Sequence, residues 1–324
     1  QNANFFQVDY VSLVRLRHYG IQTMISQPFS RFQRLDYGFS WHNINYTKLV
    51  TTYNNFGQLE YKADTTYTYS TILPSVSWVF DNSVFGMTGP IDGFRQNTSL
   101  TISPGYGSNN LKFQTIKSDI RKYWRLGKDY TIAVRGYIGK SIGKNKQKFF
   151  LGGVPYLIAG GGETNGVDDN GNFREIILDD DNESLIHDIY FTEYAWPLRG
   201  ARFGERSGNT TALLNFEVRF PFINYLALGF PLKMIFGNIR GHAFMDIGAA
   251  WETYNTEFGE FSSTEWPERY GTNNQGDYSP FVVTSGLGTK INLGYFLLKI
   301  EAAWDKNDRG YSKPQWYFSL GPDW

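Results

Sequence analysis

The sequence of 324 residues contains no cysteine, so no disulfide can contribute to its stability. It also has no excess charge, because 31 basic residues balance 31 acidic ones. Nucleic-acid-binding proteins carry a clustered basic excess, so this balance removes the electrostatic argument for that class of partner. The lack of cysteine alone does not separate secreted proteins from soluble ones.

Long apolar runs are absent as well, although a membrane-spanning helix needs about 18 apolar residues. The nearest candidate, residues 221–236, is shorter and is interrupted by Asn224, Pro231 and Lys233. The first residues also lack the charged and apolar regions of a signal peptide, so we expect a mature or truncated sequence.

Aromatic residues, in contrast, are abundant: 22 Tyr, 26 Phe and 9 Trp make up 18% of the chain. The two aromatic girdles of a membrane β-barrel would use such a surplus. A large soluble β-sandwich or propeller is equally compatible with it. The composition therefore leaves both classes open.

Several segments alternate between apolar and polar residues with a period of two, which predicts β-strands. In one of them Leu214 and Phe216 share a face, whereas Glu217 and Arg219 lie on the other. Ionisable residues in the middle of a polar face indicate that this face lines a wet lumen, and tilted strands of about ten residues can cross a bilayer. The clearest segments are 212–220, 281–293 and 296–304.

These features favour a single domain over residues 1–324, an all-β transmembrane antiparallel β-barrel. We count about 11 or 12 strands, including one near 19–26 and a weaker one near 7–14. We expect four apolar side chains to face lipid: Phe281, Leu287, Leu298 and Trp304.

No motif predicts an enzyme, a cofactor or a metal. Gly139-Lys140-Ser141 resembles the end of a phosphate-binding loop, but Val134 stands where that motif needs its first glycine. The four histidines lack zinc-ligand spacing, and no serine lies in a nucleophile elbow. The acidic stretches 168–172 and 179–183 would suit calcium, but their glycine is misplaced for an EF-hand, and a solvated acidic loop is the simpler interpretation.

Six segments resemble, in the same order, the motifs of the BamA, TamA and two-partner-secretion transporter superfamily, also called the bacterial surface antigen family. Asn-Phe-Glu-Val-Arg-Phe-Pro at 215–221 resembles the family strand that ends in Arg-Phe-Pro, and 244–251 resembles its Phe-x-Asp-x-Gly-x-x-Trp strand. The others are a Pro-x-x-Gly hairpin at 81–93, an aromatic-x-Gly-Gly segment at 150–153, an Arg-Gly motif at 199–200 and a terminal strand at 315–324.

The resemblance implies a long extracellular loop, at about residues 150–210, that folds into the lumen. In the family the arginine of the Arg-Gly motif pairs there with two acidic residues. We therefore expect Arg199, beside Gly200, to bond Glu217, Asp246 or both, as a latch for the loop. Ala201 stands where the family has an aromatic residue, which we expect to weaken the packing of the loop tip.

The implied function is the insertion of outer-membrane proteins, or the translocation of polypeptides, through a weak seam between the first and last strands and without nucleotide. The implied partners are client outer-membrane proteins or secreted polypeptides, outer-membrane lipids and accessory envelope subunits, and the implied location is the bacterial outer membrane. The terminal gate strand would carry four residues at the seam: Trp316, Phe318, Leu320 and Trp324.

The family barrel has about sixteen strands, so we expect this chain to be its C-terminal part, without the periplasmic POTRA domains. The first and last strands should then not pair with each other.

Residues 21–36 also resemble barrels of the Bacteroidota, in which a propeller can precede the barrel. A passive porin-like solute channel, and a specialised secretion or lipid-related role in the same superfamily, stay open as alternatives.

Overall fold

The computed structural model describes residues 12–53, 59–106, 111–160, 191–201, 203–229, 234–253, 264–265, 281–307, 310–311 and 313–322. These residues form eighteen β-strands. Within them no helix is long and apolar enough to cross a membrane.

Eleven strands follow one another, in chain order and antiparallel, across one large sheet. They are β1 (Ser12–Pro28), β2 (Gln33–Tyr53), β3 (Leu59–Asp81), β5 (Gly89–Pro104), β6 (Lys112–Leu126), β7 (Tyr130–Gly143), β12 (Thr210–Leu228), β13 (Met234–Thr253), β15 (Val282–Asn292), β16 (Leu297–Asn307) and β18 (Gln315–Gly321). The shorter strands are β4 (Val84–Gly86), β8 (Phe149–Leu151), β9 (Leu157–Gly160), β10 (Glu193–Ala195), β11 (Arg206–Gly208), β14 (Thr264–Glu265) and β17 (Gly310–Tyr311).

Along the strands, polar side chains point to the interior and apolar side chains point outward, which is the opposite of the arrangement in a soluble protein. In β7 the inward face carries the buried residues Arg135 and Ser141, whereas Ile138 is 61% exposed on the outward face. In β12 Glu217 is completely buried and Leu214 is 44% exposed. Polar residues inside and apolar residues outside suit a barrel surrounded by lipid and exclude the soluble sandwich that the composition left open.

The four residues predicted to face lipid lie away from the interior. Phe281 and Leu287 are 52% and 55% exposed. Leu298 and Trp304 are half-buried, and they alternate with the buried inward residues of β16. Phe281 lies just before β15 and not within it.

The sheet is rolled, because strands far apart in its order come into contact. The hairpin formed by β4 and β5 connects β3 to the rest of the sheet. From across the interior, Arg219 of β12 donates a hydrogen bond to the carbonyl of Pro90 at 2.7 Å, and Asn292 of β15 donates one to the carbonyl of Met87. We call the interior of this rolled sheet the lumen.

The two ends of the sheet differ in their connections. Short turns join β1 to β2, β6 to β7 and β15 to β16 at one end, and long connections join β7 to β12 and β13 to β15 at the other. Short turns face the periplasm in outer-membrane barrels. We call the end of the sheet with the short turns the short-turn end, and the opposite end the long-loop end.

The first and last strands are not paired with each other within the described ranges. β1 pairs with β2 without a break from Ser12 to Pro28, and β18 pairs with β16 and with the short strand β9. The strand predicted near 19–26 is confirmed as part of β1. The separate strand predicted near 7–14 is wrong from residue 12 onward, because residues 12–14 belong to the same unbroken strand, and residues 7–11 lie outside the described residues. The strand number of the complete protein stays a prediction.

Candidate functional site

The connection between β7 and β12, residues 144–209, enters the lumen and will be called the lumen loop; its residues 161–190 and 202 lie outside the described part. Its strand β8 pairs with β10 in parallel and with β11 in antiparallel orientation, separately from the barrel wall. Leu151 and Leu198 are completely buried and pack in one cluster with wall residues Tyr137, Leu213 and Val282. Ala250 of β13 belongs to the same cluster, so the predicted inward-folded loop contacts four strands of the wall.

A tight turn at Leu198 to Gly200 presents the predicted arginine. The Leu198 amide donates to the Gly153 carbonyl at 3.0 Å, and Gly200 has a φ of +86°. A Cβ at Gly200 would lie 3.2 Å from the Cβ of Ala303, so glycine suits both the backbone and the space. The Gly200 amide donates to the Tyr317 hydroxyl of β18 at 2.8 Å. The turn therefore touches the last strand directly.

The Arg199 side chain is 2% exposed and contacts both of the predicted carboxylates. Its Nε and Nη2 donate to the two oxygens of Asp246 at 2.8 and 2.9 Å, which is the two-point geometry of a strong arginine–carboxylate pair. Its Nη1 donates to Glu217 at 3.3 Å. The guanidinium carbon lies 3.5 Å from the ring centroid of Phe244, a cation–π contact.

Four further charged or titratable side chains complete this cluster. They were not predicted from the sequence. Glu301 accepts from Arg199 Nη1 at 2.9 Å, and its carboxylate lies 2.9 Å from Nε2 of His242. Glu217 accepts from Arg219 Nε at 2.7 Å and contacts the Lys290 amine. The alternation along each strand shows which side chains share a face, but it does not show which strands are neighbours or where the loop meets them.

We call these residues the lumen charge network: Arg199, Arg219, Lys290, Glu217, Asp246, Glu301 and His242. Within this network three cations balance three carboxylates. Burial lowers the pKa of Arg199, but the charges of Asp246 and Glu301 outweigh this effect and hold the pKa well above its ordinary value. Because an unpaired buried charge is costly, the network stabilises the loop only while its members stay together.

Two wall side chains also bind the backbone of the lumen loop. Asn215 donates to the Pro197 carbonyl at 2.8 Å and to Asp246 at 2.8 Å. Arg135 donates to the Trp196 carbonyl at 2.6 Å. These two bonds fix the loop to the wall just before its arginine turn.

Three of the four residues predicted for the gate strand are described, and they lie away from the charge network. Trp316 and Phe318 are exposed on the outward face of β18, and Leu320 is half-buried on that face. Trp324 lies outside the described residues. The side chain that joins β18 to the loop is Tyr317, which the sequence analysis did not single out.

The profile of the Omp85 superfamily domain matches residues 2–324. The chain belongs to the Omp85 superfamily. This agrees with the resemblance to BamA and TamA inferred from the six sequence segments. No curated protein matches the chain.

Among solved structures, this Omp85 chain is similar to BamA from Haemophilus ducreyi, in the crystal structure that lacks POTRA domains 1–3. The TM-score is 0.55 and the sequence identity is 14%. The similarity covers 95% of this chain and 55% of the BamA chain, so the chain spans about half the length of that relative. At this identity the match supports the barrel fold.

The one departure from the Omp85 arginine motif lies in a buried position. Ala201 is 2% exposed and belongs to the same cluster as Leu198. The weaker packing expected from this small side chain stays a prediction.

The other motifs considered in the sequence have structural roles or lie outside the described residues. Ser141 of the Gly-Lys-Ser stretch is buried in β7, where it accepts hydrogen bonds from Thr115 and from the Gln147 amide. The acidic stretches at 168–172 and 179–183 are not described. In the described part of the chain, no three His, Cys, Asp or Glu residues are grouped as a metal site.

Proposed function

We propose that this Omp85 barrel inserts other outer-membrane proteins into the bacterial outer membrane, or passes polypeptides across it, without using nucleotide. One observation carries the proposal. The lumen loop is held by the buried Arg199 network, and the next residue, Gly200, bonds Tyr317 of the last strand. A movement of β18 would therefore be transmitted to the loop, and a movement of the loop to β18.

The seam between the first and last strands is the proposed working surface. A strand with a free edge presents unpaired backbone groups, and an incoming extended segment can add to it as a further strand. The outward face of this barrel is apolar at residues such as Ile138 and Leu287. Burial of the client's own apolar face in lipid then supplies the free energy for insertion.

The partners in this proposal are client outer-membrane proteins or secreted polypeptides, outer-membrane lipids and accessory envelope subunits. A passive porin-like channel fits less well, because the lumen beside β12, β13 and β16 contains the loop and the charge network. A specialised secretion or lipid-related role uses the same seam and is distinguished by the nature of the client.

The test uses the full protein in lipid vesicles with an unfolded eight-stranded outer-membrane barrel as client. Folding is followed by the heat-modifiable shift of the client on gels. We expect faster client folding than in protein-free vesicles, and a loss of this acceleration in Arg199→Ala. Arg125→Ala is the matched control, since within the described residues the hydrogen bonds of that exposed arginine go to turn carbonyls in its own hairpin. Ion conductance without acceleration of folding would support the passive channel instead.

A further inference from the structure

Two directly opposed wall residues bind consecutive carbonyls of the lumen loop. Arg135 of β7 and Asn215 of β12 are paired in the antiparallel register, and both are buried on the inward face. Nη1 of Arg135 donates to the Trp196 carbonyl at 2.6 Å, and the side-chain amide of Asn215 donates to the Pro197 carbonyl at 2.8 Å. Together they hold the loop segment that leads into the arginine turn.

This attachment differs in kind from the lumen charge network. The network holds the side chain of Arg199, whereas Arg135 holds the loop backbone. A hydrogen bond from a guanidinium to a carbonyl is strengthened by the charge of the donor, but it needs no charged residue on the loop. The two attachments therefore act on different loop residues, and each persists without the other.

One carboxylate of the wall fixes the direction of the Arg135 side chain. Asp119 of β6 accepts hydrogen bonds from Nε and Nη2 of Arg135 at 3.1 and 2.8 Å. These two bonds occupy one edge of the guanidinium, so Nη1 on the other side is directed to the loop. Asp119 also accepts from Nε and Nη2 of Arg121 at 2.8 and 2.7 Å, so it orients two arginines at once.

The two arginines need this shared carboxylate because they are neighbours in the sheet. Arg121 and Arg135 lie directly opposite each other in the register of β6 and β7. Like charges in directly opposite positions destabilise a pair of strands. Asp119 offsets this repulsion, since it contacts both side chains. Without it we expect the guanidinium groups to move apart and Arg135 to leave the Trp196 carbonyl.

The segment held by Arg135 carries part of the packing within the loop. The Trp196 ring stacks on that of Tyr194 in β10, with centroids 5.0 Å apart, and lies 6.3 Å from that of Phe203. Tyr194 in turn lies 6.2 Å from Phe150 of β8. Aromatic pairs at such distances attract each other. A fixed Trp196 backbone therefore restrains β8 and β10 in addition to the arginine turn.

We propose that Arg135 is a second latch of the lumen loop, which holds the Trp196 carbonyl, and that Asp119 is the positioning residue that acts through Arg135. The loop leaves the wall only when this latch and the Arg199 latch are both open. The second latch follows from the contacts of the described residues. Its effect on client folding rests on the proposed function.

Hydrogen exchange of the full protein in lipid vesicles tests the second latch. The Leu198 amide, which donates to the Gly153 carbonyl, is the first loop amide after Pro197 and reports on this segment. Arg135→Ala should speed its exchange by about 10- to 100-fold, because a hydrogen bond from a charged donor is lost beside it. Client folding should slow in parallel. Exchange at the wild-type rate would overturn the proposal.

Arg95→Ala is the matched control for the loss of a cation. Arg95 of β5 lies directly opposite Arg121 in the same inward row, but within the described residues its ion pair is with Asp81 of β3. We expect wild-type exchange at Leu198 in this variant, and the heat-modifiable shift of the protein itself shows that each variant is folded. An equal increase in Arg95→Ala and Arg135→Ala would mean that the lost charge, and not the bond to the loop, is responsible.

A charge rescue tests the role of Asp119. Asp119→Asn leaves Arg121 and Arg135 opposite each other without a carboxylate, so exchange at Leu198 should increase. Adding Arg121→Gln removes the repulsion, so the double variant should return toward the wild-type rate. If Asp119 only supported the wall, the loss of a second polar contact would loosen the loop further. A double variant that exchanges faster than Asp119→Asn would therefore contradict the positioning role.

A failure of the proposed function looks different from a failure of the second latch. In the first case the wild-type protein does not accelerate client folding over protein-free vesicles, although Arg135→Ala still loosens the loop. In the second case the wild-type protein is active, and Arg135→Ala leaves either exchange at Leu198 or client folding unchanged.

Discussion

Arg199 and Asp246 form a buried ion pair with two parallel hydrogen bonds, at 2.8 and 2.9 Å, and the Arg199 amide donates a third to the same carboxylate at 3.1 Å. One wall residue thus fixes both the side chain and the backbone of the loop turn. The geometry uses the planar fork of arginine, which lysine cannot reproduce.

Replacing Arg199 should release the loop while the wall remains folded. Arg199→Ala leaves Asp246 and Glu301 buried with fewer partners, and removal of one member of a buried pair costs about 3–5 kcal/mol. Arg199→Lys keeps the charge but loses the two-point geometry, so we expect an intermediate loss. Proteolysis of the loop and the client-folding assay measure the two effects. Equal activity of all three proteins would show that the latch has no role.

Charge balance predicts coupling between Glu217 and Lys290, which are in direct contact. Glu217→Gln alone leaves excess positive charge in the lumen, and Lys290→Met alone leaves excess negative charge. The double variant restores the balance, so we expect it to be more stable than the sum of the single changes predicts, by about 0.5–3 kcal/mol. Urea unfolding in vesicles measures the cycle. Additive changes would mean that the network does not act as a unit.

Tyr317→Phe should loosen the contact between the arginine turn and β18. The change removes the hydroxyl that accepts the Gly200 amide, and an unsatisfied buried donor costs about 1–3 kcal/mol. We expect faster hydrogen exchange at Gly200 and in β18. Tyr225→Phe, at a tyrosine that is 64% exposed, is the control and should exchange as the wild type does. Unchanged exchange in Tyr317→Phe would contradict the coupling between loop and strand.

We expect an arginine on the outward face of β15 to destabilise the barrel by an amount that depends on its depth in the membrane. Leu287 lies in the middle of this strand, and Leu293 lies just beyond its short-turn end. Leu287→Arg should destabilise the barrel by about 2–4 kcal/mol in lipid, and Leu293→Arg by about 0–1 kcal/mol. Urea titration of both variants in vesicles measures the difference. The same cost at both sites would argue against Leu287 lying near the bilayer midplane.

The end of β12 was not predicted correctly by the alternation of apolar and polar residues. The alternation predicted a strand at 212–220, but β12 runs from Thr210 to Leu228. Pro221 cannot donate to a sheet ladder and therefore indicates a strand end in a sequence. In the structure the register shifts between Pro221 and Ile223, and this irregularity lets the strand continue past the proline.

The sequence by itself determined which side chains share a face, because the two-residue period of a strand is local. It therefore placed Glu217 and Arg219 on a polar face, and the motif resemblance paired Arg199 with Glu217 and Asp246. Only the tertiary structure decided that Glu301 and Lys290 join this cluster. Their partners lie 102 and 73 positions away in the sequence, on the lumen loop and on β12, so these contacts depend on the order of the strands and on where the loop enters the lumen.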